Sequence, residues 1–328
     1  MALDGRLLGR ARARLAEQKE QNAALLTERE AAVYAAVPEI RRVDRMLREL
    51  VGEVLDLTVN HRMDTEAALQ RVEEKSGALC SEKAELLTAN GFPADYLQEI
   101  VNCAECHDTG YLRDGSICSC LLELYEAERA AELAAATKAG EDGFAGFSLD
   151  YYSGAARECM ELTLNTAKQY ALSFGAKSPN LLLQGSTGLG KTFLSGCVAK
   201  AVSAAGHSVV YETAQEAFGA FEEQKFSRDA ETYAAATEKV KRILACDLLI
   251  LDDLGTELTT NFTQSALYNI INTRLTENKK TIISTNLSDE ELAGRYIPQI
   301  ASRIGGEYDT LLFMGRDIRA IKKECRYQ

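Results

Sequence analysis

The segment Gly185-Ser186-Thr187-Gly188-Leu189-Gly190-Lys191-Thr192 constrains this chain more than any other. It spells Gly-x-x-x-x-Gly-Lys-Thr between a short apolar run and a helical pattern, which is the context such a loop needs. Asn180-Leu181-Leu182-Leu183-Gln184 before it reads as a buried strand. Phe193 to Ala205 after it reads as a helix closed by Gly206. The glycines let backbone N–H groups converge on phosphate oxygens, and the helix N-terminus adds its dipole. Gly185, Ser186, Thr187, Gly188, Leu189 and Gly190 are the expected cradle. Lys191 is expected to reach the β- and γ-phosphates, and the Thr192 hydroxyl to ligate Mg²⁺. The loop therefore predicts a nucleoside triphosphate bound on an α/β scaffold with a parallel sheet.

A second strand, Asp247-Leu248-Leu249-Ile250-Leu251-Asp252-Asp253, is continuously aliphatic, as a strand buried on both faces must be. Its two carboxylates fall where α/β sheets open their ligand crevice. Asp252 is expected in the Mg²⁺ shell, and Asp253 is placed to orient or deprotonate an attacking water. A third strand, Thr281-Ile282-Ile283-Ser284-Thr285-Asn286, ends in an amide that either hydrogen-bonds the water or γ-phosphate or caps the turn. Ser288 and Glu291 spell a capping box for the next helix.

Taken as a set, Leu251-Asp252-Asp253-Leu254-Gly255-Thr256-Glu257, Ile270-Ile271-Asn272-Thr273-Arg274, Ile283-Ser284-Thr285-Asn286-Leu287-Ser288 and Ser302-Arg303-Ile304 resemble the DnaC/DnaI-type bacterial replicative helicase loaders. The resemblance runs from about Phe144 to the C-terminus. Cys103-Ala104-Glu105-Cys106-His107 through Cys118-Ser119-Cys120 is similar to the zinc segment of many members. The resemblance implies an AAA+ P-loop ATPase that forms a ring or spiral and delivers a hexameric replicative DNA helicase onto single-stranded DNA. It makes Asn286 the sensor I position and Arg303 the arginine finger, completing a neighbouring copy's ATP site. Arg295 and Arg274 are weaker candidates for that role, and the other reading of Arg303 is a surface arginine paired with a Glu. Positions 287–328 are too few for the helical lid, with Arg316 and Arg319 as possible substitutes for its arginine. The aromatic run Phe144 to Tyr152 suits either an adenine strap or an anchor for the first helix. IstB-type transposition helpers share much of this ATPase core; a zinc knuckle behind a long helical N-terminus favours the loader. A small-molecule phosphotransferase would need an acceptor pocket, and no motif for one is visible.

Nine cysteines are present. Cys103, Cys106, Cys118 and Cys120 form a Cys-x₂-Cys…Cys-x-Cys cluster suited to a closed, structural Zn²⁺ site. His107 could replace one thiolate, and a disulfide pair is the alternative to a metal. Cys159, Cys197 and Cys246 sit in apolar contexts and read as core; Cys80 and Cys325 carry no signal.

A net charge of −12 argues against a basic surface for duplex DNA. Contact with single-stranded DNA would be local. The resemblance places it at Lys225, Arg228, Lys239, Lys241 and Arg242, which a solvated helical face explains equally. The sequence shows no apolar run of membrane-spanning length and no signal-type start, which predicts a cytoplasmic protein. Upstream, Val33, Val37, Ile40, Val43, Leu47, Leu50, Val54 and Leu57 make a helical stripe, with Pro38 at a helix start. Leu69 to Leu97 reads as shorter amphipathic helices broken at Asn90-Gly91-Phe92-Pro93. The expected layout is a helical module over 1–100, knuckle and connecting helix over 101–136, linker over 137–146 and ATPase domain over 147–328. The resemblance assigns helicase contact to the first module and self-association to the ATP site.

Overall fold

The computed structural model describes residues 3–59, 65–137 and 142–324, leaving positions 138–141 of the expected linker and Cys325 outside the described residues. The chain divides into two compact units between Glu128 and Arg129.

The first unit is helical. Helix α1 (Gly5–Ala36) starts at Asp4, whose carboxylate accepts the N–H groups of Arg6 and Leu7 and so satisfies two donors of the first turn. Pro38 opens α2 (Pro38–Val59), where its missing N–H costs nothing. Helix α3 (Thr65–Ala89) is one continuous element of 25 residues, not the shorter pieces expected; its many Ala, Leu, Glu and Lys residues carry it through Ser76-Gly77, and the chain turns at Asn90-Gly91. Val33, Val37 and Ile40 of the stripe pack with Leu87 and Leu97, Val43 and Leu50 are also buried, and the side chains of Val54 and Leu57 lie outside the described residues. A separate cluster joins Leu7, Ala11 and Leu15 to Leu121 and Tyr125 of α4 (Ser119–Ala136), within which the unit division falls.

The second unit is built on five parallel strands in the order β2-β3-β4-β1-β5: β1 Asn180–Gln184, β2 Val209–Thr213, β3 Leu248–Leu254, β4 Lys280–Thr285 and β5 Tyr308–Leu312. Successive side chains of β3 point to opposite faces, and both faces are covered. Leu248 and Ile250 pack on α5 (Gly154–Leu172) and α6 (Lys191–Ala204). Leu249 and Leu251 pack on the side of α7 (Ala214–Phe226), α8 (Ala230–Ala245) and α9 (Asn261–Thr276). Helices α10 (Asp289–Arg295) and α11 (Pro298–Glu307) follow β4. After β5 the chain runs to α12 (Ile318–Glu324). The helix after the loop ends as expected: Gly206 at φ +94° donates to Ser203 O, and His207 donates to Val202 O, a Schellman closure. This strand order, with a phosphate loop after β1, is the α/β AAA+ fold. No described helix is long and apolar enough to cross a membrane.

Candidate nucleotide site and cysteine cluster

β1 delivers the chain directly into the glycine loop at the carboxyl edge of the sheet. Gly185 is obligatory there for steric reasons. At φ +152° a Cβ would stand 2.3 Å from the carbonyl oxygen of Phe313, where the chain leaves β5. The Lys191 ammonium folds over the loop, donating to Gly185 O at 2.5 Å, Ser186 O at 2.8 Å and Asn286 Oδ1 at 3.2 Å. The last contact brings together two residues picked from separate parts of the sequence. Burial lowers the Lys191 pKa, the charges of Asp253 and Asp252 oppose that, and Arg319 reinforces it.

Beside the loop lies a cleft of about 340 Å³. Its walls are Thr187 to Phe193, the carboxylate of Asp253, Asn286, the aromatic strap and α12. Phe147 and Tyr152 stack with centroids 6.1 Å apart, and the Tyr152 hydroxyl donates to Leu189 O at 2.9 Å. The strap lines the cleft and is also packed into the core with α5. Gly146, read as the end of a linker, is itself a cleft residue within a short 3₁₀ turn.

The two aspartates do not simply end their strand. The β3–β4 register shifts between Leu251 and Leu254, and Asp253 takes a left-handed φ of +55°, costly for a residue with a side chain. This bulge brings Asp253 to the cleft lining, while Leu254 resumes pairing with Thr285. Asp252 is buried at 2% exposure. One of its oxygens accepts the Tyr211 hydroxyl at 2.9 Å, and the other accepts the Ser284 hydroxyl. Among the described residues it has no ion pair. A buried carboxylate without an ion pair among the described residues fits a divalent cation, which Asp252 and Thr192 would hold.

The arginines separate sharply. Arg274 is fully buried and hydrogen-bonded to main-chain carbonyls, which removes it from the inter-subunit candidates. Arg295 donates to Glu257 O inside its own chain. Arg303 lies 5.5 Å over the ring of Tyr268 and is not among the cleft-lining residues, and among the described residues no Glu pairs with it, the alternative considered for it. Arg319 lines the cleft, whereas Arg316 pairs with Glu324 at 3.1 Å. Of the five basic residues considered for DNA, Lys239 is paired with Glu212 and Arg242 with Glu132, and Lys225 sits 5.4 Å from the rings of Phe226 and Phe262. Tyr211 and Lys322 join the site without any motif to announce them, and Thr256 and Ser284, which lie inside the sequence motifs, carried no role of their own there. For Tyr211 the available signal was a single hydroxyl-bearing ring inside Val209-Val210-Tyr211, a strand that otherwise buries aliphatics.

In the first unit the four cluster cysteines bring their sulfurs within 4.8 Å of one another. Cys103 and Cys118 stand 3.7 Å apart, and Cys106 and Cys120 3.4 Å. Four thiolates at about 2.3 Å around a tetrahedral Zn²⁺ would lie about 3.8 Å apart, so the set fits that ion. The turn is held from below: Asp108 accepts the N–H groups of Asn102 and Cys103, and Gly110 N–H points at Cys106 Sγ. Burial would raise the Cys106 thiol, but that N–H and the neighbouring sulfurs lower it to about 6. His107, at φ +49°, is not part of the cluster, and the described cysteines are free of disulfides. Cys197 and Cys246 are core as expected; Cys159 is only half-buried, and Cys80 is exposed.

Residues 151–296 match the family described as IstB-like ATP binding protein. That span contains the phosphate loop, both carboxylates and Asn286. No curated protein matches the chain. Similar solved structures include the DnaC helicase loader, at 23% identity over 52% of this chain and 98% of that one, TM-score 0.43. Another is DnaI, at 20% identity over 55% and 94%, TM-score 0.46. A third is AMPPCP-bound DnaA from Aquifex aeolicus, at 20% identity over 58% and 56%, TM-score 0.45.

Proposed function

We propose that this chain, with its IstB-like ATP-binding domain, is an ATP-hydrolysing assembly factor that places a replicative DNA helicase on single-stranded DNA. The observation that carries the ATPase is the meeting of Lys191, Asp253 and Asn286 on one cleft, with Asp252 directly beneath. The amides of Gly185 to Thr192 receive the phosphates, and Lys191 neutralises β/γ charge. Thr192 and Asp252 would hold Mg²⁺, which would supply further charge neutralisation on the phosphate oxygens. Asp253 orients a water and accepts its proton as the water oxygen attacks the γ-phosphorus and ADP leaves. Asn286 hydrogen-bonds the γ-phosphate or that water. Arg303, outside its own cleft, completes the site of a neighbouring copy in a homo-oligomer; an arginine supplied in trans gains about 10³–10⁵ in rate in known cases.

The loader reading is supported by the motif set and by the four-cysteine cluster within a helical unit preceding the ATPase. In it, the first unit contacts the helicase, Zn²⁺ holds the knuckle, and contact with DNA is weak and local. The family match itself favours a second reading, a helper ATPase of a transposase.

Gel filtration of the full chain with the host's replicative helicase, with and without ATP, decides between them. The expected result is a stable complex that Lys191→Ala still forms but no longer resolves on ATP addition. If no nucleotide condition yields a complex with helicase while the chain still binds ATP, the loader reading falls and the ATPase reading stands. Co-elution with a transposase instead would establish the second.

A further inference from the structure

Tyr211 sits on β2, two residues short of the register position that pairs Thr213 with Asp252. The residue is 8% exposed, yet its hydroxyl touches three groups drawn from two other elements. It lies 2.9 Å from Asp252 Oδ2 on β3, 3.1 Å from Ser195 Oγ on α6, and 3.4 Å from the carbonyl oxygen of Thr192 at the start of α6. Ser195 Oγ also lies 3.1 Å from the same Thr192 carbonyl, and its single proton is the one that can reach the phenol oxygen once the phenol's own proton is on Asp252. A phenol has one proton to give, and the shorter contact to a charged acceptor takes it. The remaining Asp252 oxygen is fixed by Ser284, whose oxygen also accepts the Asp253 N–H at 3.0 Å.

We infer that Tyr211 is a positioning residue for the divalent cation: its hydroxyl ties the Asp252 carboxylate to the Thr192–Ser195 turn, and so fixes the two cation-holding residues relative to each other. The inference rests on the reading of this cleft as a MgATP site. Two hard ligands from separate elements, one on a strand and one on a helix, bind a small cation well only if their separation is set in advance. The sheet fixes Asp252 along β3, and the loop fixes Thr192 along α6. Among the described contacts Tyr211 and its partner Ser195 are what ties the underside of one to the other. Phenylalanine would retain the ring and its packing against the core while deleting the tie.

The test is a titration of Mg²⁺ into full-length protein bearing a fluorescent ATP analogue, paired with analogue affinity measured in EDTA. Tyr211→Phe is expected to raise the Mg²⁺ midpoint by about tenfold, the usual scale for removing a group that orients a metal ligand. Affinity without Mg²⁺ should stay at the wild-type value, which a general loss of structure would not allow. An unchanged Mg²⁺ midpoint overturns the inference, and so does an equal loss of affinity with and without Mg²⁺. If Tyr211→Phe does not fold, Ser195→Ala enters the same titration. It should move the midpoint in the same direction by at least about twofold, the lower end for one lost hydrogen bond, and no movement overturns the inference. Wild-type protein that binds the analogue in neither condition would sink the nucleotide reading itself and this inference with it.

Discussion

Replacing Arg274 with methionine separates a structural arginine from a functional one. The side chain is fully buried. Its Nε donates to Thr281 Oγ1 at 3.0 Å, and Nη1 to the carbonyls of Ile243, Leu244 and Cys246 at 2.8, 3.1 and 3.0 Å. Nη2 donates to Lys280 O at 2.6 Å. Three of those carbonyls end α8 and its exit, where the helix dipole is negative, so the guanidinium acts as an internal C-terminal cap joined to the start of β4. Methionine fills a similar volume, which leaves the polar loss as the dominant effect. Four main-chain acceptors lose a buried donor at about 1 kcal/mol each, and the desolvation cost of the cation disappears at the same time, for a net loss of about 3 kcal/mol. In a unit of this size that is about 6–12 °C in melting temperature. Calorimetry on the full chain reads it, with the transition of the ATPase unit identified as the one MgATP raises. A variant melting within about 2 °C of wild type but defective in self-stimulated ATP hydrolysis would refute the reasoning and return Arg274 to the subunit interface.

Purified protein should carry about one Zn²⁺ per chain by elemental analysis, and Cys118→Ser should lose it without changing ATP affinity; a metal-free chain with intact thiols would count against the cluster as a zinc site. Gly185→Ala should lower stability by about 2–4 kcal/mol in urea unfolding, because the new Cβ meets a backbone oxygen at a φ that disfavours side chains. A wild-type unfolding midpoint would show that the strand ends give way more easily than that. Asp247 provides a pH test. Burial pushes its carboxyl up, but Lys279 and Ser208 outweigh burial and bring it from 3.8 to about 2. A depressed carboxylate stabilises the fold above its unfolded pKa, and that contribution fades as pH falls from about 4 to 2. Asp247→Asn should flatten the stability–pH curve in that window, and an unaltered slope would mean the Lys279 contact contributes nothing.

Much of the site was legible because its signals are local. A glycine loop must have a strand before it and a helix after it, and a strand buried on both faces must be aliphatic. The sequence therefore yields β1, β3 and β4, the loop, the capping box at Ser288 and the cysteine spacing. Asn286 was marked by its place just past a strand end, and its side chain stands 3.2 Å from the Lys191 ammonium. β5 was not visible in the same way. It is an edge strand, Tyr308-Asp309-Thr310-Leu311-Leu312, with exposed polar positions, and it carries no continuous apolar run. The register shift at Asp252-Asp253 was equally hidden, since a bulge is defined by the partner strand and not by its own residues.

The chain's own order of residues determined the nucleotide loop, the buried strands and the thiol cluster, each being a property of neighbours a few positions apart. Tertiary structure decided the strand order, the seating of α12 and Phe313 against the loop, and the different fates of Arg274, Arg303 and Arg319. An arginine reads alike in sequence whether it lies in solvent, in a cleft or under a helix end. Only the packing of distant elements determines which of these it meets, and Tyr211 is bound to Asp252, forty-one positions away, for the same reason.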